Sequence, residues 1–275
     1  EIRLSLVGSE MCIRDRVIGT ENKKSENIMK ELYRPLFLKE TPIVATSIET
    51  SEIIKYASNS FLATKIAFIN EIADLCEVVG ADVQQVAYAM GIDKRIGSKF
   101  LNAGPGFGGS CFPKDVKAFA STAKKKNIDL SIINAVNKSN QDRIIKILNK
   151  IISNIEKKST ICFLGLSFKP NTDDVRDSTS MKIASKLFER GYNVQCYDPE
   201  AMQRVIAHKG NPLDGLNPNV PSTGSEGPVT PAPLPGETIR DLVGRCYGGP
   251  VPNSPNPLDS QFPTVPFVPA VVQPD

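Results

Sequence analysis

The chain has 275 residues, room for one or two domains, and its 33 Lys+Arg against 30 Asp+Glu leave a net charge of only +3. That balance carries no electrostatic footprint for a nucleic-acid partner, and no run of about 18 apolar residues is present to span a membrane. Glu1 to Arg16 scatters acids and bases and lacks the apolar centre of a secretory signal.

The averages hide a break near residue 210. Of 21 prolines, 15 lie in residues 211–275, where lysine is absent and two arginines face six acids. Residues 1–210 carry a net charge of +7 and the remainder −4. Proline and glycine make up about a third of that tail, the composition of a disordered segment.

In chain order, Val17–Thr20 reads as the end of a strand. Ile28, Leu32 and Leu36 give residues 25–38 helical spacing, and Pro42–Ala45 is a short apolar strand. A long helical pattern runs from Glu49 to Val79. Ile54, Ala57, Phe61, Phe68, Ile72, Leu75 and Val79 trace one face; Ile53, Leu62, Ile66, Ile69, Ala73 and Cys76 trace a second. Gly80 is its stop. A helix of that length spans roughly 46 Å. Apolar on two faces, it must be covered on both, which predicts packing against a second subunit.

Asp82 caps a short helix from Val83 to Met90. Residues 91–112 are irregular and glycine-rich. Pro113 sits at a helix start that continues to Lys126, and another helix runs from Leu130 to Glu156. Ser159–Gly165 is a strand, Ser180–Arg190 a helix closed by Gly191, and Asn193–Tyr197 a second strand followed by Asp198. Strand, helix, strand and acid make a βαβ unit of nucleotide-binding type.

Six cysteines (Cys12, Cys76, Cys111, Cys162, Cys196, Cys246) form no CxxC pair, and His208 is the single histidine, so no metal site is expected. Cys76, Cys162 and Cys196 fall in apolar patterns and read as buried thiols. That excludes a disulfide framework and points to the cytoplasm.

Gly104-Pro-Gly-Phe-Gly-Gly109 has GxGxxG spacing but no preceding strand, so it is rejected as a dinucleotide fingerprint. It reads instead as a flexible loop whose backbone can approach a ligand. Cys111 follows it at the start of a helix. The positive end of that helix favours thiolate as a nucleophile, and Lys114 adds positive charge. Asp115, one turn on, can hold a water or act as base. Lys55 and Asn59, at i and i+4 on the long helix, pair an ammonium with an amide and can stabilise an oxyanion. Arg95, Lys169 and Arg176 lie in irregular segments and suit phosphate. For Arg176 the plain alternative is an ion pair with Asp177. Lys124–Lys126 is a solvated helix end.

Three strings in residues 49–115 resemble the central region of nucleotide-sugar dehydrogenases: Glu52-Ile-Ile-Lys-Tyr-Ala-Ser-Asn59-Ser-Phe-Leu-Ala-Thr-Lys65, Asp93-Lys-Arg-Ile-Gly97 and Gly104-Pro-Gly-Phe-Gly-Gly-Ser-Cys-Phe-Pro-Lys-Asp115. Leu164-Gly-Leu-Ser-Phe-Lys-Pro-Asn-Thr-Asp-Asp-Val-Arg-Asp-Ser178 resembles the start of that family's nucleotide-sugar domain. The likeness spans Val17 to Met202 and is strongest toward members that oxidise UDP-glucose.

The resemblance implies α/β flanks around an all-α central domain. Residues 17–47 would be the remnant of an NAD-binding Rossmann domain, 48–157 a helical dimerisation and catalytic domain, and 158–202 a partial UDP-sugar-binding domain. It implies NAD as cofactor, UDP-glucose as substrate and a homodimer built on helix 49–79. Cys111 would attack the C6 aldehyde to give a thiohemiacetal, then a thioester. Lys55 and Asn59 would stabilise the oxyanion, and Asp115 would order the hydrolytic water. Phe100, Leu101, Asn102, Ala103, Gly104, Phe107 and Gly108 would line sugar and phosphates, mainly through backbone groups. Lys55, Phe168 and Lys169 would also bind substrate, and Arg95 would reach a neighbouring subunit's site. Lys114 and Arg176 would contact NAD.

Ser5 to Arg16 resembles a peptide translated from sequencing-adapter DNA, so residues 1–16 are expected to be a non-native leader. Residues 203–275 are expected to be a disordered or foreign tail, a native interaction tail being the alternative. With little of the NAD-binding domain present, no turnover is expected of the chain as written. The alternatives are a non-catalytic UDP-sugar-binding or dimerisation module, and an enzyme acting on another nucleotide sugar such as GDP-mannose.

Overall fold

The computed structural model describes residues 3–5, 16–34, 43–157, 159–207 and 270–272. They divide into two units, Glu1–Lys65 with Lys114–Asn137, and Ile66–Pro113 with Lys138–Asp275. Leu36, Pro42, Cys12, His208, Cys246 and most of both expected foreign segments lie outside the described residues.

The first unit opens with a three-stranded sheet in the order β1 (Arg3–Ser5), β2 (Arg16–Gly19), β3 (Ile43–Thr46). β1 is antiparallel to β2; β2 and β3 are parallel, with Val17 opposite Val44 and Ile18 opposite Ala45. Between β2 and β3 lies α1 (Lys23–Tyr33). The Asn22 side chain caps it by accepting from the Ser25 N–H. Its buried residue is Met29, whereas Ile28 and Leu32 are exposed. The helix was expected and its inward face was not: period alone leaves a short helix's rotation to its neighbours.

α2 (Ile48–Val79) forms as a single helix of 32 residues. It ends at Gly80, where the Ala81 N–H reaches back to the Cys76 carbonyl. Ala63, Ala67, Ile69, Ala73 and Cys76 are buried along it, while Phe61, Phe68, Leu75 and Val79 are exposed. Ile53, at the start of the second apolar face, is exposed too. The first unit also holds most of α4 (Phe112–Lys125), where Val116 is fully buried and Phe119 stacks on Tyr56 at 6.0 Å between centroids.

In the second unit α3 (Val83–Ile92) is capped as expected by Asp82, which accepts from the Gln84 N–H. Residues 93–111 are irregular. α5 (Ser131–Ser153) crosses into this unit at residue 138. Its partners on α2 rise together: Ser139 with Glu71, Arg143 and Lys146 with Asp74, Lys150 with Glu77. The two helices therefore run parallel, joined by a polar ladder.

β4 (Thr160–Leu164), α6 (Thr179–Glu189) and β5 (Asn193–Tyr197) form a parallel βαβ unit, followed by α7 (Met202–Ala207). A short strand, β6 (Ala270–Val272), lies antiparallel on the other edge of β4, so three residues of the tail expected to be disordered are strand. The core joins Leu148 and Ile151 of α5 to Phe163 of β4, Ile183 and Leu187 of α6, and Val205 of α7. Burial of such side chains is worth about 1.5–3 kcal/mol each.

Candidate active site

In the first unit, Asn59 donates its amide N–H to Asp115 Oδ2 at 2.6 Å. Asp115 stands in the first turn of α4 and is 2 % exposed. Its other oxygen lies 3.5 Å from the exposed Lys114 ammonium. A carboxylate at that depth needs charge-assisted partners, and the amide and ammonium supply them. Lys55, one turn before Asn59, is half-buried.

In the second unit, Cys111 is exposed and immediately precedes α4; Ser110 Oγ lies 3.8 Å from its sulfur. The loop before it is pinned, not flexible as expected. The Gly104 N–H donates to Asn70 Oδ1 at 2.7 Å, and its carbonyl accepts from Arg143 Nε at 3.0 Å. The Phe107 N–H donates to Asn140 Oδ1 at 2.8 Å, and its carbonyl accepts from Asn140 Nδ2 at 3.0 Å. The N–H groups of Gly104 and Phe107 are thus engaged by side chains of the protein. The close approaches its glycines permit are to the protein itself. A Cβ on Gly106 (φ +116°) would sit 2.7 Å from Asn140 Oδ1, one on Gly108 2.4 Å from the Asp177 carbonyl oxygen, and one on Gly109 (φ +83°) 2.6 Å from the Phe168 ring. Phe100 holds φ +66°, Leu101 and Phe107 are buried, Ala103 is half-buried and Asn102 is exposed.

Lys169 Nζ lies over the Phe168 ring, 5.4 Å from its centroid. Arg176 forms a forked pair with Asp174, not with Asp177, which pairs with Lys182. Hydrogen bonds from Arg176 hold the Asp174 carboxyl below the usual carboxylate range, against a smaller upward push from burial. The same pair raises Arg176, with a further contribution from the Cys111 sulfur. Arg95 is exposed and forked on Asp93.

Asp198, the acid that follows β5, is committed to the backbone. Its two oxygens accept the backbone N–H groups of Leu166, Ser167, Glu200 and Ala201 at 2.7–3.0 Å. Burial pushes this carboxyl up, but the four N–H donors together outweigh it and leave it below its ordinary value. Asp198 is therefore a staple between the loop after β4 and the turn after β5.

Among the described residues no group of three His, Cys, Asp or Glu side chains could hold a metal, and no helix is long and apolar enough to cross a membrane. Cys76 and Cys162 are buried free thiols as expected, and Cys196 is partly buried. No described strand runs through a GxGxxG turn into a helix N-terminus. Lys114 and Arg176, the two expected NAD contacts, are each exposed and already paired with a carboxylate.

Asn70, Asn140 and Arg143 went unnoticed in the sequence. The signal was there: Val136, Asn140, Arg143, Ile147 and Ile151 share one helical stripe, and two polar residues interrupt it.

The model for the central domain of the UDP-glucose/GDP-mannose dehydrogenase family matches residues 49–142, and that family's UDP-binding-domain model matches residues 162–222. The chain belongs to the UDP-glucose/GDP-mannose dehydrogenase family. It is 48 % identical over 190 residues to a UDP-glucose 6-dehydrogenase of Rickettsia bellii, covering 68 % of this chain and 44 % of the relative. A UDP-glucose 6-dehydrogenase of Rhizobium meliloti is 49 % identical over 194 residues, covering 69 % and 44 %. A solved UDP-glucose dehydrogenase from Pyrobaculum islandicum superposes with a TM-score of 0.66 at 36 % identity, covering 73 % of this chain and 46 % of that one. The chain thus spans less than half the length of these dehydrogenase relatives. The central-domain match takes in the Asn59–Asp115 pair and also the loop ending at Cys111.

Proposed function

We propose that this chain carries the nucleophile and the UDP-sugar framework of an NAD-dependent UDP-glucose 6-dehydrogenase, which oxidises the C6 alcohol of UDP-glucose to the carboxylate of UDP-glucuronate. The observation that carries the reading is an exposed cysteine leading into a helix whose first turn holds a buried, amide-bonded carboxylate. In the proposed reaction the Cys111 thiolate adds to the C6 aldehyde, and Lys55 and Asn59 stabilise the oxyanion of the thiohemiacetal. Asp115, its position fixed by Asn59, orders the water that later hydrolyses the thioester and frees the sulfur. Phe100–Gly104, Phe107, Gly108, Phe168 and Lys169 frame the sugar nucleotide, and Arg95 serves a neighbouring subunit. NAD is the hydride acceptor of the whole enzyme, with Lys114 and Arg176 at its edge. The 275-residue chain itself is proposed to bind UDP-glucose without turning it over.

We assign β2–α1–β3 as a remnant of the NAD-binding Rossmann domain. We assign α2 as the homodimer helix, supported by its exposed Phe61, Phe68, Leu75 and Val79. The four free cysteines among the described residues support a reducing, cytoplasmic setting.

The test is carbon-13 NMR of the C6 aldehyde of UDP-glucose mixed with the chain. A thiohemiacetal resonance that vanishes in Cys111→Ser is expected, and its absence from the unsubstituted chain would overturn the nucleophile assignment. Steady NADH formation from UDP-glucose and NAD by the same chain would overturn the proposed lack of turnover.

A further inference from the structure

We propose that Asn140 and Arg143 of α5, with Asn70 of α2, are positioning residues that set the conformation of loop 104–111 and so determine how Cys111 and the sugar-binding backbone are presented. The proposal rests on the reading of that loop as the UDP-sugar and nucleophile loop.

Two polar side chains, Asn70 and Arg143, are buried where packed helices would ordinarily bury leucine, and the half-buried Asp74 and Asn140 flank them. Asn140 and Arg143 are one turn apart on α5, and Asn70 and Asp74 are one turn apart on α2. Arg143 is 8 % exposed and Asn70 3 %. Arg143 joins the Gly104 carbonyl, the Asn70 carbonyl and the Asp74 carboxylate. Asn140 clamps both backbone polar groups of Phe107, so its amide orientation is fixed by its partners. Well-packed apolar residues generally serve stability at least as well as a buried ionic network. What this network adds is direction. It dictates where Gly104 and Phe107 point, and between them Gly106 must be glycine because Asn140 fills the space of a Cβ.

Downstream, the loop is fixed a second time. The Gly109 N–H donates to the Arg176 carbonyl at 3.0 Å, and the Gly109 Cα abuts Phe168. Cys111 follows two residues later. Its approach is therefore held from α5 at one end and from the loop after β4 at the other, and releasing the first hold frees residues 104–108, up to the second hold at Gly109.

The experiment compares the full chain with Asn140→Ala, Asn140→Asp, Arg143→Lys and a control, Lys150→Ala, which removes an exposed ion pair of the same ladder away from the loop. Calorimetry reads UDP-glucose affinity, peptide mapping reads the iodoacetamide alkylation rate of Cys111, and thermal unfolding reads stability. Asn140→Asp keeps the acceptor for the Phe107 N–H but turns a carboxylate oxygen toward the Phe107 carbonyl in place of the donor; it leaves no cavity, so it keeps the test open if the alanine variant fails to fold.

Asn140→Asp and Arg143→Lys are expected to weaken UDP-glucose about tenfold and to change the Cys111 alkylation rate several-fold, while Lys150→Ala changes neither. Variants that lose thermal stability but keep both affinity and alkylation rate would overturn the proposal and leave a merely structural network. If the unsubstituted chain does not bind UDP-glucose, the UDP-glucose reading fails, and alkylation alone decides the positioning: a changed rate upholds it, an unchanged rate overturns it.

Discussion

Asn59 and Asp115 meet at 2.6 Å across 56 positions of sequence, an amide hydrogen bonded to a carboxylate that solvent barely reaches. The pair fixes α4 against the first half of α2. Asn59→Ala leaves that carboxylate with one ammonium at 3.5 Å as its remaining polar partner among the described contacts. The expected cost is about 1.5–3 kcal/mol, read as a lower urea midpoint. A double-mutant cycle with Asp115→Ala should show coupling of about 1 kcal/mol or more; additive effects would mean the bond contributes nothing net.

Asp198 makes the βαβ unit sensitive to acid. Its folded-state value lies below its ordinary value of 3.8, so the unfolded chain binds the extra proton. The stability it contributes is present above the unfolded value of 3.8 and is lost as pH falls through the lowered folded value. Asp198→Asn turns an N–H donor toward backbone N–H groups and should cost about 2–4 kcal/mol near neutrality. Denaturation of both proteins across pH should show that gap closing on acidification, with amide exchange at Leu166 and Ser167 accelerated in the variant. A gap independent of pH would contradict the staple.

Thiol reactivity should separate the described cysteines. Cys111 is exposed, Cys76 and Cys162 are buried, and burial together with the neighbouring Cys162 pushes the Cys196 thiol up to about 12. Alkylation at neutral pH followed by peptide mapping should label Cys111 first. Equal labelling of all four would show that the α2 and β4–β5 cores open readily.

Gly108 and Gly109 should respond differently to the same substitution. Gly109→Ala drives a Cβ into the Phe168 ring, so Phe168→Ala should recover part of the loss, the part not due to the positive φ. Gly108→Ala strikes the Asp177 carbonyl, and no side-chain truncation can relieve a clash with backbone. Both single variants should lower the melting temperature by several degrees, in line with about 1–3 kcal/mol of strain. Full recovery of Gly109→Ala by Phe168→Ala would show that φ strain is negligible there.

Local signals were read well from the sequence. The long helix, expected from Glu49 to Val79, is α2 at Ile48–Val79; the Asp82 cap, the Gly80 stop and the Asn193–Tyr197 strand all stand where spacing put them. Each depends on neighbours within one or two turns, and the chain's own period and capping chemistry suffice. The loop was placed correctly too, and so was the cysteine at the helix start.

Only the tertiary structure decided the partners. It turned Met29 inward in place of Ile28 and Leu32, gave Arg176 to Asp174, spent Asp198 on four backbone N–H groups and clamped Gly104 and Phe107 with side chains more than 30 residues away. A buried donor or acceptor must be paired, but the sequence does not say with what. That depends on which helix faces are brought together, and the parallel alignment of α2 with α5 is set by the whole packed unit rather than by any local run of residues.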